Sequence, residues 1–452
     1  MKKISLLAAL LVNGTILMAQ TNPVITAWLR NTTGVTGRHY VSGSSTPIVD
    51  ADSANVQTVL YSATWSYTRT KGVPTYVTGP FLDGNPSLTT SQNAIFKLPL
   101  TPTANTGTPT ATSGGDIGIF INGVAMFDYR DGVSWKNSTS SLAGGPLMGM
   151  GDGVWNRDAI VGEVTGFDCS KGHPAMGNYH HHQNPSAFGL DLNVLSTVCN
   201  LYTSDALYVM DSTHHSPLLG FAFDGYPVYG AFGYKNADGT GGITRIKSSY
   251  ALRSITTRTT YADGSTVTAG PAVNATYPLG YFREDYQYNT TSAATPDYLD
   301  EHNGRFCVTP EYPAGTYAYF CTVGSNWNSA YPYMVGPTYY GVKSGGKVTS
   351  ITEPVTIFTG TVGINNVTED AQVVSVFPNP ASDLIAVQLK NFNTETIVVE
   401  LYDISGRMVQ KTMVYPGSTM AYFDTRTIYD GEYIVKVTTN NGVISKRVSV
   451  LK

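Results

Sequence analysis

One pattern, written twice, restricts the fold more than any other feature of this chain. Gly118-Ile-Phe-Ile-Asn122-Gly123-Val-Ala-Met126-Phe127 is echoed by Gly220-Phe-Ala-Phe-Asp224-Gly225-Tyr-Pro-Val228-Tyr229. In both, an apolar strand is interrupted by Asn-Gly or Asp-Gly and then resumes, the strongest short-range signal for a hairpin. Asn and Asp tolerate positive φ, and Gly adopts it without steric cost. Two equivalent tight hairpins in one β core are expected. Asp224 carries a second reading, as a ligand or an acid–base group at a hairpin tip. Asn122 cannot share it, because an amide does not ionise.

Composition supports strands over helices. Only 13% of the 452 residues are charged, against about 25% in an average soluble domain. Gly (46), Pro (24) and Tyr (30) occupy the space that Lys and Glu fill in helical enzymes, which favours turns and strands. The formal charge of −4 lacks the basic stripe that nucleic-acid backbones demand. Hydrophobic residues reach 42%, too few for a membrane protein, and the 11% of aromatic residues argues against disorder. The length suffices for two or three domains.

The first twenty residues read as a secretory signal. Lys2-Lys3 precede an apolar run from Ile4 to Val12, and Leu17-Met18-Ala19-Gln20 offers a small residue for cleavage. The run is too short to span a bilayer, which needs about 20 residues, so no transmembrane segment is expected in the mature chain. Export makes disulfides plausible for Cys169, Cys199, Cys307 and Cys321. Of the three pairings, the sequence-local one, Cys169–Cys199 with Cys307–Cys321, is expected. With no CxxC spacing, thiolate ligation of a metal is the minor alternative.

The C-terminal eighty residues alternate in short strands with Asn, Asp and Gly turns, the pattern of a small antiparallel sandwich. Phe377-Pro-Asn-Pro-Ala381, Asp403-Ile-Ser-Gly-Arg407, Gly431-Glu-Tyr433 and Lys446-Arg447-Val448 follow in order. Together they resemble the type A C-terminal sorting domain of type IX secretion. The resemblance implies an export address read by the type IX machinery, on a passenger released or attached to cell-surface lipopolysaccharide after passage through the periplasm. The expected organisation is a signal peptide (1–20), a β-rich domain (21–362), a linker (363–372) and an Ig-like sorting domain (373–452).

Histidine is scarce, at eight residues, yet six lie from position 173 to position 215. If Tyr179 to Gln183 is extended, His180 and His182 share one face, with Tyr179 and His181 opposite. Two imidazoles on one face form a chelate for a borderline metal, and His173, across a Gly-containing bend, could supply a third. His214-His215 and Glu301-His302 are further candidates that only the fold could bring near. Histidines that act without a metal, and buried histidines with a purely structural role, fit the same pattern.

The same region resembles the YHYH domain family. The resemblance rests on Gly172-His-Pro174, Gly177-x-Tyr179-His-His-His182, Leu219 to Gly230 and Leu299-Asp-Glu-His-Asn-Gly-Arg-Phe306. Gly118 to Phe127, Tyr317-Ala-Tyr-Phe320 and Tyr331-Pro-Tyr333 fit it too. It covers about residues 55–340 and implies a compact β-rich domain built around tight hairpins. Position 181 is His where the family has its second Tyr, and His302 stands where the family commonly has Cys. The resemblance implies no reaction.

Two functional readings follow. One is a metal-binding, hydrolase-like exported protein with His173, His180 and His182 as ligands for zinc or copper. In it Asp224 or Glu301 completes the shell or activates a bound water. The other is a glycan-binding or adhesion module with structural histidines, in which Tyr-rich loops such as Tyr281-Phe282, Tyr312 and Tyr331-Pro-Tyr333 stack against sugars. No HExxH, GxSxG or P-loop pattern decides between them.

Overall fold

The structure, a computed structural model, describes residues 21–44, 46–83, 87–144, 150–186, 206–359, 374–389, 397–403, 406–415, 418–439 and 442–452. The expected signal peptide, the whole of the expected linker and Cys199 lie outside these residues. The chain divides into two compact units, one of them Gln20–Phe358 and the other containing the C-terminal part from Thr359. Among the described residues no helix is long and apolar enough to cross a membrane. The described residues are β-rich, and among them every helix is a single turn.

The centre of the larger unit is an eight-stranded sheet assembled from four hairpins. Asp116–Phe120 pairs with Ala125–Phe127, and Leu218–Ala222 with Pro227–Tyr229. These are the two echoed segments, each turning at its Asn-Gly or Asp-Gly, with φ +83° at Gly123 and +91° at Gly225. They lie side by side, joined antiparallel through Gly118↔Ala222, Ile119↔Phe221 and Phe120↔Gly220. On one flank Asn178–His181 adds parallel to Ala125–Phe127 and pairs with Gly172–Ala175. On the other, Tyr312–Phe320 adds parallel to Pro227–Tyr229 and pairs with Gly304–Thr309. The sheet therefore has an internal pseudo-two-fold, and the echo covers four strands in each half.

The likeness of the halves extends to side chains. Asp168 accepts hydrogen bonds from the backbone N–H of Ser170 (3.0 Å) and Gly172 (3.1 Å) and from Tyr179 Oη (2.9 Å to Oδ2). Asp300 accepts from the N–H of His302 (2.9 Å) and Gly304 (3.1 Å) and from Tyr317 Oη (2.8 Å to Oδ1). The residue before each glycine is left-handed, with φ 63° at Lys171 and 62° at Asn303. Each glycine leaves room for the tyrosine ring: a Cβ would stand 2.5 Å from Tyr179 Cζ at position 172, or 2.5 Å from Tyr317 Cε1 at position 304. Both tyrosines and both aspartates are largely or wholly buried, which makes these bonds costly to lose.

A second antiparallel sheet of Gly346–Val348, Ala94–Pro99, Trp65–Thr70, Val56–Tyr61 and Thr356–Ile357 completes the core. Phe96, Leu98, Val56 and Val59 from it join Ile119, Phe120, Phe221 and Val228 in one apolar cluster. Burial of a side chain of this kind contributes about 1.5–3 kcal/mol. The C-terminal unit has a three-stranded and a four-stranded antiparallel sheet. Ile385, Val387 and Phe423 of one share a core with Leu401, Val435 and Val448 of the other.

The expected Cys307–Cys321 disulfide is absent: both residues are free, buried thiols. The hairpin register explains it. Cys307 faces Thr316, whereas Gly304 faces Tyr319, so Cys321 lies beyond the far end of the ladder. Residues that many strand steps apart exceed the 4.4–6.8 Å Cα separation a disulfide requires. Cys169 is disulfide-bonded.

Candidate metal centre

The hairpin carrying the histidines turns at Met176-Gly177, both left-handed, with Ala175 opposite Asn178. That two-residue turn sets the register and places His173 opposite His180 on neighbouring strands. His182 follows His180 by two residues on the same face. The ligand-capable atoms of His173, His180 and His182 lie within 4.8 Å of one another, and all three side chains are buried.

The ring orientations are set by the backbone. His180 Nδ1 donates to the Asn178 carbonyl at 2.8 Å, and His182 Nδ1 donates to the Asp128 carbonyl at 2.5 Å. A carbonyl only accepts, so both Nδ1 atoms carry the proton and the neutral rings aim their Nε2 lone pairs inward. Those two Nε2 atoms stand 3.1 Å apart. Phe127 stacks on His180 at 3.7 Å between centroids, and Phe167 packs its edge against His173 at 5.0 Å. The strand Ala125–Phe127 supplies the stacking ring because it runs parallel to the histidine strand.

Glu163 is the carboxylate at this centre. It follows the single-turn helix Ala159–Gly162, capped by the Asp158 side chain on Ile160 N–H. Glu163 Oε2 lies 3.3 Å from His173 Nε2 and 3.2 Å from His182 Nε2. Neither contact has hydrogen-bond alignment: Glu163 Oε2 and both ring nitrogens of His173 are buried without a hydrogen-bond partner. Three convergent imidazoles beside an oxygen donor, with orphaned buried atoms among them, are a donor set that could hold a metal ion.

The electrostatics agree with that geometry. Burial, reinforced by the neighbouring imidazoles, pushes His180 well below its ordinary value. Burial opposes the charged form of Glu163 as well, but His173 and His182 hold its carboxyl well below the usual range. For His182, burial works against protonation and the adjacent Glu163 carboxylate outweighs it, so its value is raised.

The other face of the strand has a different role. His181 Nε2 bonds Tyr76 Oη at 2.7 Å, and burial pulls its imidazole down to about 3. His181 thus faces a buried tyrosine cluster and not the chelate. The pseudo-two-fold gives the same message: in the second half Arg305, Ala318 and Phe320 occupy the places of His173, His180 and His182. Arg305 lies over the Phe320 ring at 5.5 Å, so that half retains packing and has no chelate.

The structure does not bring Asp224 or Glu301 to the histidines. Asp224 is fully buried and accepts from Tyr319 Oη (2.6 Å), Gly341 N–H (2.9 Å) and Tyr226 N–H (3.2 Å). These bonds fasten the hairpin tip, and burial pushes its carboxyl up to about 6. The Glu301 side chain is 56% exposed and approaches His302 at 3.9 Å. His302 bonds Thr338 Oγ1, His214 bonds Asp211 on the surface, and His215 bonds the Ser216 carbonyl. Glu163 was missed because no spacing in the sequence links it to the hairpin. Its only local signal is the Asp158 cap, which marks a helical turn and not a ligand.

Comparison with the curated proteins finds no match. The profile of the secretion system C-terminal sorting domain matches residues 375–451, which makes the protein an exported one, secreted or held at the cell surface and handled by the type IX machinery. The profile of the YHYH protein family matches residues 95–332, more than half of the chain and all of the eight-stranded sheet. This protein therefore belongs to the YHYH protein family and carries a type IX sorting domain behind its family domain.

Proposed function

We propose that the exported domain is a metal protein whose centre is formed by His173, His180 and His182, with Glu163 as the adjoining carboxylate. The observation that carries this reading is the convergence of three buried imidazoles. Two of them have their Nδ1 protons committed to backbone carbonyls, which orients the remaining lone pairs toward one point. Outer hydrogen bonds of this kind fix tautomer and ring direction in metal sites. Nitrogen and carboxylate donors favour zinc or copper(II) over calcium, whose sites want six to eight oxygens.

A metal held there would supply Lewis-acid activation of water. Glu163, held ionised by His173 and His182, is the carboxylate that would orient that water by accepting its hydrogen bond, in place of Asp224 and Glu301. Hydrolysis is accordingly the reaction class we assign. Metal analysis of the mature protein after equilibration with zinc or copper(II) tests the reading. About one equivalent is expected, lost in the His180→Ala/His182→Ala variant with the fold intact by circular dichroism. Equal, substoichiometric metal in both proteins would overturn it.

A further inference from the structure

We infer that the Gln20–Phe358 unit has a second binding site, a cleft between the strands Ile243–Arg245 and Tyr250–Leu252, which takes an acidic sugar residue of an extracellular polysaccharide. The cleft measures about 360 Å³ and is lined by Arg245, Lys247, Tyr250, Tyr286, Tyr298 and Ser329, among others. That volume falls within the range of about 300–1,000 Å³ typical of small-molecule sites. None of its residues belongs to the histidine centre, so the inference stands apart from the metal reading.

Its aromatic wall is held together by contacts among its own rings. Tyr286 stacks on Tyr331 at 4.1 Å and 5° between planes, and Tyr250 meets Tyr331 edge-on at 5.3 Å. Lys247 Nζ lies 4.9 Å from the Tyr298 ring centre and 2.6 Å from Asp297 Oδ2. Arg245 differs. Its Nη1 donates to the Val323 carbonyl at 2.6 Å, and among the described residues it has no carboxylate partner. The cleft lining itself contains no acidic side chain. One cation therefore faces the cleft uncompensated, and the lining residue Ser329 has a buried hydroxyl without a hydrogen-bond partner.

These groups recognise complementary parts of one ligand. Tyrosine offers an apolar face to C–H groups and a polar tip to hydroxyls. A guanidinium fixed at one corner presents its remaining N–H groups to a carboxylate or sulfate. A ring that combines C–H faces, hydroxyls and an anionic substituent is an acidic sugar. Of the tyrosines suggested by sequence, Tyr331 lines this cleft, whereas Tyr333 is core.

Calorimetric titration of the mature protein with tri-galacturonate and with the neutral trisaccharide maltotriose tests the inference. Tri-galacturonate is expected to bind, more weakly at 0.5 M than at 0.05 M salt, while maltotriose is not. Arg245→Gln, which keeps a donor for Val323, is expected to weaken binding about tenfold. The His180→Ala/His182→Ala variant is expected to bind as wild type does, which separates this site from chelation at the histidine centre. No binding of tri-galacturonate, equal binding of maltotriose, salt-independent affinity, or loss only in the histidine variant would each overturn it.

Discussion

Replacing Gly172 by Ala probes both the internal symmetry and the metal centre. A Cβ there would stand 2.5 Å from Tyr179 Cζ and 2.8 Å from His181 Cε1, against about 3.5–4.0 Å for relaxed carbon contacts. The tyrosine ring must move by about 1 Å, which breaks its bonds to Asp168, 3.0 Å and 2.9 Å long. Depriving that buried carboxylate of its phenol costs about 1.5–3 kcal/mol, and overpacking adds about 1–3 kcal/mol. A loss of about 3–5 kcal/mol is expected. Gly304→Ala meets the equivalent Tyr317 and Asp300 and is expected to cost the same within about 1 kcal/mol. The two differ in function, because position 172 adjoins His173 whereas position 304 adjoins Arg305. Metal affinity should fall in Gly172→Ala and persist in Gly304→Ala, with stability read by urea denaturation and affinity by competition with a chelator. A cost below about 1 kcal/mol for Gly172→Ala, or equal loss of metal in both variants, would refute the reasoning.

Glu163→Gln is expected to weaken metal affinity by about 10–100-fold, measured by the same competition; unchanged affinity would remove Glu163 from the centre. Asp224→Asn should leave metal binding untouched and alter the pH dependence of stability. The folded-state value of Asp224 is raised from 3.8 to about 6 by burial, so its contribution is fully present below the unfolded value and lost as pH rises through about 6. The asparagine variant should therefore gain on wild type by about 3 kcal/mol between pH 3.5 and 7.5 in denaturation experiments, and a pH-independent difference would contradict this. Alkylation without reductant should modify two thiols per chain in denaturant and none in the native protein, since Cys307 and Cys321 are free and buried; modification of none after denaturation would contradict the hairpin register.

Much of the architecture is readable where the local code is strong. Asn122-Gly123 and Asp224-Gly225 specify their turns through backbone chemistry alone, and alternation places His180 and His182 together once the strand is extended. His173 joins them because the turn at Met176-Gly177 fixes a register that spacing alone leaves open. The full repeat is not visible, because what the halves share is an Asp–Gly–Tyr hydrogen-bond geometry while the residues around it differ. Glu163 is hidden for a related reason: it reaches the centre through tertiary packing of an otherwise ordinary helical turn. Asp224 invites a catalytic reading as a lone acid at a turn, yet its three hydrogen bonds give it a fastening role. Cys307 and Cys321 look like a local pair in sequence and are separated by the ladder between them.

The most direct test of the metal centre is X-ray absorption on zinc-loaded mature protein. The account predicts three imidazole nitrogens at about 2.0–2.1 Å, with this signature abolished in the His180→Ala/His182→Ala variant. An oxygen-only or sulfur shell, or the same spectrum in the variant, would contradict it.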